Sequence, residues 1–232
     1  MLEERRAGCR IGIWSFTRID HLFSPTANYL WTTTINEAMR SIMASLTSFL
    51  PTIAPAFRLT TAAMYERQRA LVRMGLLPTP QGRGRGSGAE ATPETVALLI
   101  IACLATDNLS DTDGRVQTLA AASFVDGKYD RCRWTGAENF KEALVFLLSA
   151  QAPSGLGAHT SITVSRAEPN AGIFFQWKKR PGKGHSQFGP REPILEFRPV
   201  IVTSELPSST LHFIQNALRT ASAIQSAEEQ SS

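Results

Sequence analysis

The segment "LVRMGLLPTPQGRGRGSGAEATPETVALLI", residues 71–100, places a basic, glycine-rich stretch between two helix-like sequences. Glycines occupy every second position from Gly82 to Gly88, and Arg83 and Arg85 lie between them. We call residues 80–88 the Arg/Gly loop. A backbone this open and this basic suits either the phosphate site of a nucleotide-binding enzyme or a loop that contacts DNA.

A helix is predicted on each side of the Arg/Gly loop. Upstream, Thr60 can cap a helix that Gly75 and Pro78 end. Its apolar residues recur at helical spacing; they are Met64, Leu71, Met74 and Leu77. Downstream, Thr92 as N-cap and Pro93 at the first helical position predict a second helix, in which the buried face would be formed by Val96, Leu99, Ile100, Cys103 and Leu104.

Composition favours an anionic partner and gives no sign of a metal, a cofactor or a membrane span. The 232 residues carry a formal net charge of +4 and a pI near 9.2. Three cysteines and four histidines are scattered without ligand or disulfide spacing. The longest apolar run, 96–105, is half of the roughly 20 residues that a membrane helix needs. We therefore expect a cytoplasmic, non-enzymatic protein with no cofactor, although a site assembled only in the fold stays open.

The glycine spacing argues against the nucleotide-site alternative. A phosphate-binding P-loop needs GxxxxGK[ST] after a strand, and a dinucleotide site needs GxGxxG between a strand and a helix. The Arg/Gly loop follows a helix and has neither spacing. DNA contact is favoured instead, because no acid lies between Glu66 and Glu90 and arginine grips phosphate bidentately. The predicted DNA-binding residues are Arg67, Arg69, Arg73, Arg83, Arg85 and Ser87; the alternative is a solvated helix face and a flexible loop.

Residues 70–78 (ALVRMGLLP), Ser87-Gly88 in a short Arg/Gly segment and residues 91–96 (ATPETV) follow one another in an order that resembles MerR-type winged-helix regulators. The resemblance spans about residues 60–105. It implies a DNA-facing helix that ends at Gly75 to Pro78 and a wing that carries Arg83 and Arg85. A weaker similarity links the segment to prophage and gene-transfer-agent regulators of alphaproteobacteria.

Residues 1–57 show weak periodicity and are interpreted as a poorly defined N-terminal extension. One helix is predicted near Ile35 to Leu50. Met43 opens a stretch that reads like a natural start, so residues 1–42 are either an extension or a mis-set initiation. The first segment of a helix-turn-helix is not recognisable upstream of Thr60.

The predicted fold class is α+β, with a winged-helix-like helical front half followed by a small antiparallel sheet and a C-terminal helix. The predicted divisions are a helical DNA-binding domain at 58–152, an α+β interaction domain at 158–226 and a disordered tail at 227–232. Further helices are expected at 115–122 and from 135–138 onward. Strands are predicted at 160–166, 172–179 and 194–203, with the first hairpin turn at 168–172 and a final helix at 208–224.

A second basic cluster lies where a long hairpin tip is predicted, and it consists of Lys178, Lys179, Arg180, Lys183 and Arg191. This tip could follow DNA phosphates, or stack bases with Trp177 and Phe188. Equally, lysines at a sheet edge can be a solubilising device.

Together these patterns predict a transcriptional regulator of phage-like origin that binds double-stranded DNA and associates with the nucleoid. RNA polymerase or another regulator is the expected protein partner of the back half, which could also form a homo-oligomer. The alternative is a protein–protein adaptor or a phage assembly or DNA-packaging component whose basic loops contact acidic partners.

Overall fold

Helices and a four-stranded antiparallel sheet make up the described part of the chain, which confirms the α+β class. The structure is a computed structural model that describes residues 45–79, 88–105, 112–125, 129–132, 134–149, 160–166, 168–176, 183–190 and 202–229. The helices are α1 Leu46–Ile53, α2 Thr61–Arg73, α3 Pro93–Ala105, α4 Thr112–Ala120, α5 Phe140–Leu148 and α6 Ser208–Glu229. The strands are β1 Ser161–Ser165, β2 Ala171–Gln176, β3 Lys183–Phe188 and β4 Thr203–Leu206.

Helix α1 belongs to the core, so the predicted extension 1–57 is wrong from residue 45 onward. The hydroxyl of Ser45 caps the helix by accepting a hydrogen bond from the Ser48 N–H at 3.2 Å. Leu46, Leu50 and Ile53 are fully buried. The helix predicted at 35–50 overlaps α1 at residues 46–50, but α1 continues to Ile53. Residues 35–44 of the predicted helix lie outside the described residues.

Helix α2 begins and ends where the sequence predicts. The Thr60 hydroxyl accepts from the Ala63 N–H at 3.1 Å. At the other end Gly75 adopts a left-handed conformation with φ +70°, and the N–H of Leu76 donates to the Leu71 carbonyl at 3.0 Å. This hydrogen bond satisfies a carbonyl that the end of the helix leaves free, and it turns the chain out toward the Arg/Gly loop.

Helix α3 is the centre of the core. Every residue from Val96 to Ala105 is buried, because α2, α4, α5 and the sheet all contact this helix. The predicted face of α3 is therefore buried, but so are its other faces. The described residues between 45 and 229 form one compact unit, in which the described parts of the predicted 58–152 and 158–226 regions share one hydrophobic core. Whether either region folds alone stays a prediction.

The sheet has the strand order β3-β2-β1-β4, and each neighbouring pair is antiparallel. Strand β1 matches the predicted strand 160–166, and β2 matches the predicted strand 172–179 as far as Gln176, beyond which residues 177–179 lie outside the described residues. The predicted turn at 168–172 extends too far, because β2 already begins at Ala171. Strand β3 was not predicted, and it occupies part of the expected hairpin tip. Residues 177–182 lie outside the described residues. The predicted strand 194–203 reaches the described residues only at its end, where β4 begins at Thr203.

Three helix boundaries also differ from the predictions. Helix α4 covers 112–120 rather than 115–122. Helix α5 starts at Phe140 rather than at 135–138, because Gly136 with φ +73° makes a turn there and Asn139 is the N-cap. Helix α6 continues to Glu229, so the predicted tail from 227 starts too early.

Candidate nucleic-acid interface

Helices α1 and α2 form a two-helix unit that sequence reasoning missed. The 3-10 turn Ala54–Phe57 and residues 58–60 join them. Gln68 of α2 donates from Nε2 to the Thr47 hydroxyl of α1 at 3.1 Å, which ties the helices together. The signal that could have found α1 is the Ser45 cap followed by the apolar spacing Leu46, Leu50, Ile53. Pro51 inside the helix obscured it.

The residues that follow the Arg/Gly loop, Ala89 and Glu90, pair with the start of α1. Ser45 and Glu90 form an isolated antiparallel bridge, and the N–H of Leu46 donates to the Ala89 carbonyl at 2.7 Å. Ala89 and Leu77, which flank the loop, are both buried. Both ends of the loop are therefore anchored beside the two-helix unit. Residues 80–87 of the loop lie outside the described residues, and with them the predicted DNA-binding residues Arg83, Arg85 and Ser87.

The exposed side of α2 carries an arginine pair and a tyrosine. Tyr65, Arg69 and Arg73 are exposed and follow one another at intervals of four residues, which places them along one helix face. Arg69 forms an exposed ion pair with Glu66, with Nη1 and Oε1 3.2 Å apart. An exposed pair of this kind contributes little to stability, so Arg69 can exchange Glu66 for another anion at small cost.

Arg67 does not lie on this exposed face, which corrects its prediction as a DNA-facing residue. Its side chain is 4% exposed and its Nη1 donates to the Ala63 carbonyl at 3.2 Å, while its Nε has no partner among the described residues. Spacing could have revealed this, since Arg67 falls three residues after Met64 and four before Leu71 on the core side. Its charge lowers the pKa of the nearby Cys103 thiol, but burial outweighs it and raises that pKa to about 12. Cys103 is therefore a neutral core residue.

Arg58 is a basic residue that the sequence did not single out. It is exposed and ends the 3-10 turn in a left-handed conformation with φ +55°, and its N–H donates to the Pro55 carbonyl at 3.0 Å. This conformation costs a non-glycine residue about 1–2 kcal/mol. Arg58 lies in the turn before α2, so it adds a cation near the N-terminal end of that helix.

Most of the second basic cluster lies outside the described residues, namely Lys178, Lys179, Arg180 and Arg191. Lys183 is the first residue of β3 and pairs with Gln176 of β2. The predicted base-stacking role of Phe188 is wrong, because Phe188 is fully buried against Phe124 and Phe140. Trp177 is outside the described residues.

An open cavity of about 470 Å³ lies between α4 and the β1–β2 turn. Arg115 donates to the Arg166 carbonyl, and the Nε of Arg166 donates to the Ser204 hydroxyl at 2.6 Å. Glu168 adds a carboxylate to the wall. Both arginines thus contact the protein itself, and the described lining residues present no nucleophile with an adjacent base.

Comparisons with protein-family models, with curated proteins and with solved structures found no match. Within the described ranges, no group of three or more histidine, cysteine or acidic side chains is placed to hold a metal ion. Among the helices described above, none combines the length and apolar character that crossing a membrane requires.

Proposed function

We propose that this protein is a non-enzymatic, DNA-binding transcriptional regulator that reads duplex DNA with α2 and contacts its backbone with the Arg/Gly loop. The observation that carries the proposal is the pairing of Ser45 with Glu90, which anchors the basic loop beside the α1–α2 unit. A helix-turn-helix with a neighbouring basic loop is a recurrent DNA-binding arrangement. The resemblance of residues 60–105 to MerR-type winged-helix regulators supports the same function.

The dimensions of α2 suit the proposed role. Its 13 residues span about 20 Å, and the major groove of B-DNA, about 12 Å wide, admits one α-helix. Arg69 and Arg73 would reach guanine edges or phosphates, and Tyr65 would add an apolar contact and a hydroxyl donor. Arg58 would contact phosphate at the N-terminal end of the helix. Arg67 has no place in this interface, because it is buried.

The distribution of charged residues also supports a DNA interface formed by α2 and the Arg/Gly loop. Residues 67–89 contain five arginines and no acid; four of these arginines remain in the proposed interface once Arg67 is set aside. Neutralised phosphates release condensed counterions, so binding should weaken steeply with salt. The sheet and α6 are left to recruit RNA polymerase or another regulator, or a second copy of the chain, in the bacterial cytoplasm.

The test is selection of bound sequences from a pool of random duplexes, followed by affinity measurements on the enriched duplex and on a scrambled one. Arg69→Ala with Arg73→Ala should reduce discrimination between the two duplexes by about 5- to 150-fold, which corresponds to one base contact of about 1–3 kcal/mol. Arg219→Ala is the matched control, because Arg219 is an exposed arginine on α6.

Two results would contradict the proposal. One is a folded wild-type protein that enriches no sequence and binds duplexes without salt dependence. The other is an equal loss of discrimination in Arg219→Ala and in the α2 double variant, since this would assign the effect to overall charge and not to α2.

A further inference from the structure

The open cavity between α4 and the β1–β2 turn has the size of a small-molecule site. Its volume of about 470 Å³ falls within the range of about 300–1,000 Å³ that is usual for ligand pockets. Helix α4 contributes Arg115 and Leu119 to the described lining, and the end of β1 with the turn after it contributes Ser165, Arg166, Glu168 and Pro169. None of these residues belongs to α1, α2 or the Arg/Gly loop, so the cavity is separate from the proposed DNA interface.

Arg115 places a cation on the α4 side of the cavity. Its Nη1 donates to the Arg166 carbonyl, which ties the guanidinium to the end of β1. A guanidinium has five N–H donors, and a neutral carbonyl does not balance its charge. Among the described residues, no carboxylate forms an ion pair with Arg115. The other donors of Arg115 therefore remain for a carboxylate group, which arginine binds through two parallel hydrogen bonds.

Glu168 places a carboxylate on the turn side of the same cavity, and a buried amide holds it there. Asn170, which is 8% exposed, donates from Nδ2 to the Glu168 Oε2 at 3.1 Å. The backbone N–H of Glu168 donates to the Ser165 hydroxyl at 3.3 Å, which fixes the turn itself. In the part of the chain that the structure describes, no lysine or arginine forms an ion pair with Glu168. The protein thus orients this carboxylate without neutralising it.

The two opposite charges identify the class of ligand. Arg115 and Glu168 line one cavity from different elements and do not pair with each other. A ligand that carries both a carboxylate and an ammonium group supplies a partner to each of them. Glu168 would repel phosphate or a polyanion, and Arg115 would repel a simple cation, so the pair disfavours both of these classes. Leu119 and Pro169 add apolar surface to the lining, which suits the hydrocarbon part of a small organic molecule.

We propose that this cavity binds a small zwitterion of the amino-acid type, with its carboxylate on Arg115 and its ammonium group on Glu168. Hydrogen bonds between charged partners are stronger than those between neutral groups, so each end of the ligand gains a strong contact. The Arg166 carbonyl and the Asn170 amide hold these two side chains before a ligand arrives, which lowers the ordering cost of binding. The site does not rest on the proposed DNA-binding function.

The test begins with the thermal shift of the full chain in the presence of each standard amino acid and of 4-aminobutanoate, which spaces the two charges further apart. Calorimetry then compares the best of these ligands with the carboxylic acid that lacks its amino group. Wild type should bind the zwitterion about tenfold or more tightly than the deaminated acid, because a hydrogen bond to a charged group is lost.

Two variants separate the roles of the charged residues. Glu168→Gln keeps an acceptor for the Asn170 amide but loses the charge, so it should abolish the preference for the zwitterion over the deaminated acid. Arg115→Lys keeps the charge but loses the fork of parallel donors, so it should weaken the binding of both ligands. Glu205→Gln is the matched control, because Glu205 is an exposed glutamate of β4 outside the described lining of the cavity.

Thermal unfolding without ligand shows that each variant is folded at the assay temperature. A wild-type chain that binds no amino acid and no 4-aminobutanoate overturns the proposal. Equal affinity of wild type for the zwitterion and its deaminated acid also overturns it, as does binding of inorganic phosphate alone, since either result leaves no role for Glu168. A folded Glu168→Gln variant that keeps the preference, or an equal loss in Glu205→Gln, likewise rejects the site. Duplex affinity enters none of these outcomes, so the DNA-binding proposal stands or fails separately.

Discussion

Gly75 ends the helix that we propose reads DNA, and its replacement by alanine provides a stability test of that geometry. The residue has φ +70°, a region that costs a residue with a side chain about 1–2 kcal/mol. A Cβ there meets nothing within 4 Å, so no steric clash adds to this cost. A stiffer unfolded chain offsets part of it, by about 0.4–1 kcal/mol. We expect Gly75→Ala to lower the free energy of unfolding by about 1 kcal/mol.

Gly114 provides the matched control for this prediction. It is exposed, lies in the first turn of α4 without a positive φ, and a Cβ there also meets nothing within 4 Å. Alanine should therefore raise the free energy of unfolding at this position by about 0.5–1 kcal/mol, because it favours helix more than glycine does. Urea unfolding followed by circular dichroism measures both variants.

The two alanine variants should thus shift stability in opposite directions. Gly75→Asn should lose less than Gly75→Ala, because asparagine tolerates the left-handed region better than most residues. A Gly75→Ala variant at least as stable as the wild-type protein would show that residue 75 does not have a positive φ. The described geometry of the end of α2, where the chain continues into the Arg/Gly loop, would then be wrong.

Three further predictions follow from buried and capping residues. Arg67→Met should leave the salt dependence of duplex binding unchanged, because the guanidinium of Arg67 is buried. Arg69→Ala should flatten the slope of log K against log salt by about 0.9. Equal changes of slope in binding titrations of the two variants would refute the assignment of Arg67 to the buried face of α2 and of Arg69 to the exposed face. Leu50→Ala should lower the free energy of unfolding by about 2–5 kcal/mol, because Leu50 is fully buried. An unchanged midpoint of urea unfolding would show that α1 is not part of the core and belongs to the N-terminal extension. The Glu142 carboxylate accepts a hydrogen bond from the Glu138 N–H at 3.0 Å, and this bond lowers the pKa of the carboxyl below 4.5. The stabilisation that the ionised carboxylate contributes is present above the unfolded-state pKa and is lost as the pH falls through the lowered folded-state pKa. Glu142→Gln should therefore be less stable than wild type near neutrality, and the difference in stability between the two proteins should disappear in acid. A gap that persists at low pH in acid-unfolding curves would contradict this role.

Local signals explain what the sequence predicted correctly. Thr60, Gly75 and the Thr92-Pro93 pair each act through backbone geometry within a few residues, so their helix boundaries could be derived without knowledge of the fold. The arginines at 69 and 73 are exposed as expected. Their partner Tyr65 could have been identified from the same four-residue spacing.

Nonlocal packing explains what the sequence did not predict. Strand β3 reads Lys-Gly-His-Ser-Gln-Phe and has little strand character of its own, since it is fixed by pairing with β2. Gly184 illustrates the cause, because a Cβ there would overlap the ring of Phe175 on the neighbouring strand. The burial of Arg67 likewise depends on α1 and α3 packing around α2, and the predicted helix at 35–50 covered only residues 46–50 of α1.

The salt dependence of duplex binding is the most direct test of the proposed DNA-binding interface. The Arg69→Ala/Arg73→Ala and Arg83→Ala/Arg85→Ala double variants are compared with wild type and with Arg219→Ala on one duplex over a range of salt concentrations. We expect each double variant to flatten the slope of log K against log salt by about 1–2, since each phosphate contact contributes about 0.9, and we expect Arg219→Ala to leave it unchanged. Folded double variants with the wild-type slope and affinity would show that neither α2 nor the Arg/Gly loop touches DNA.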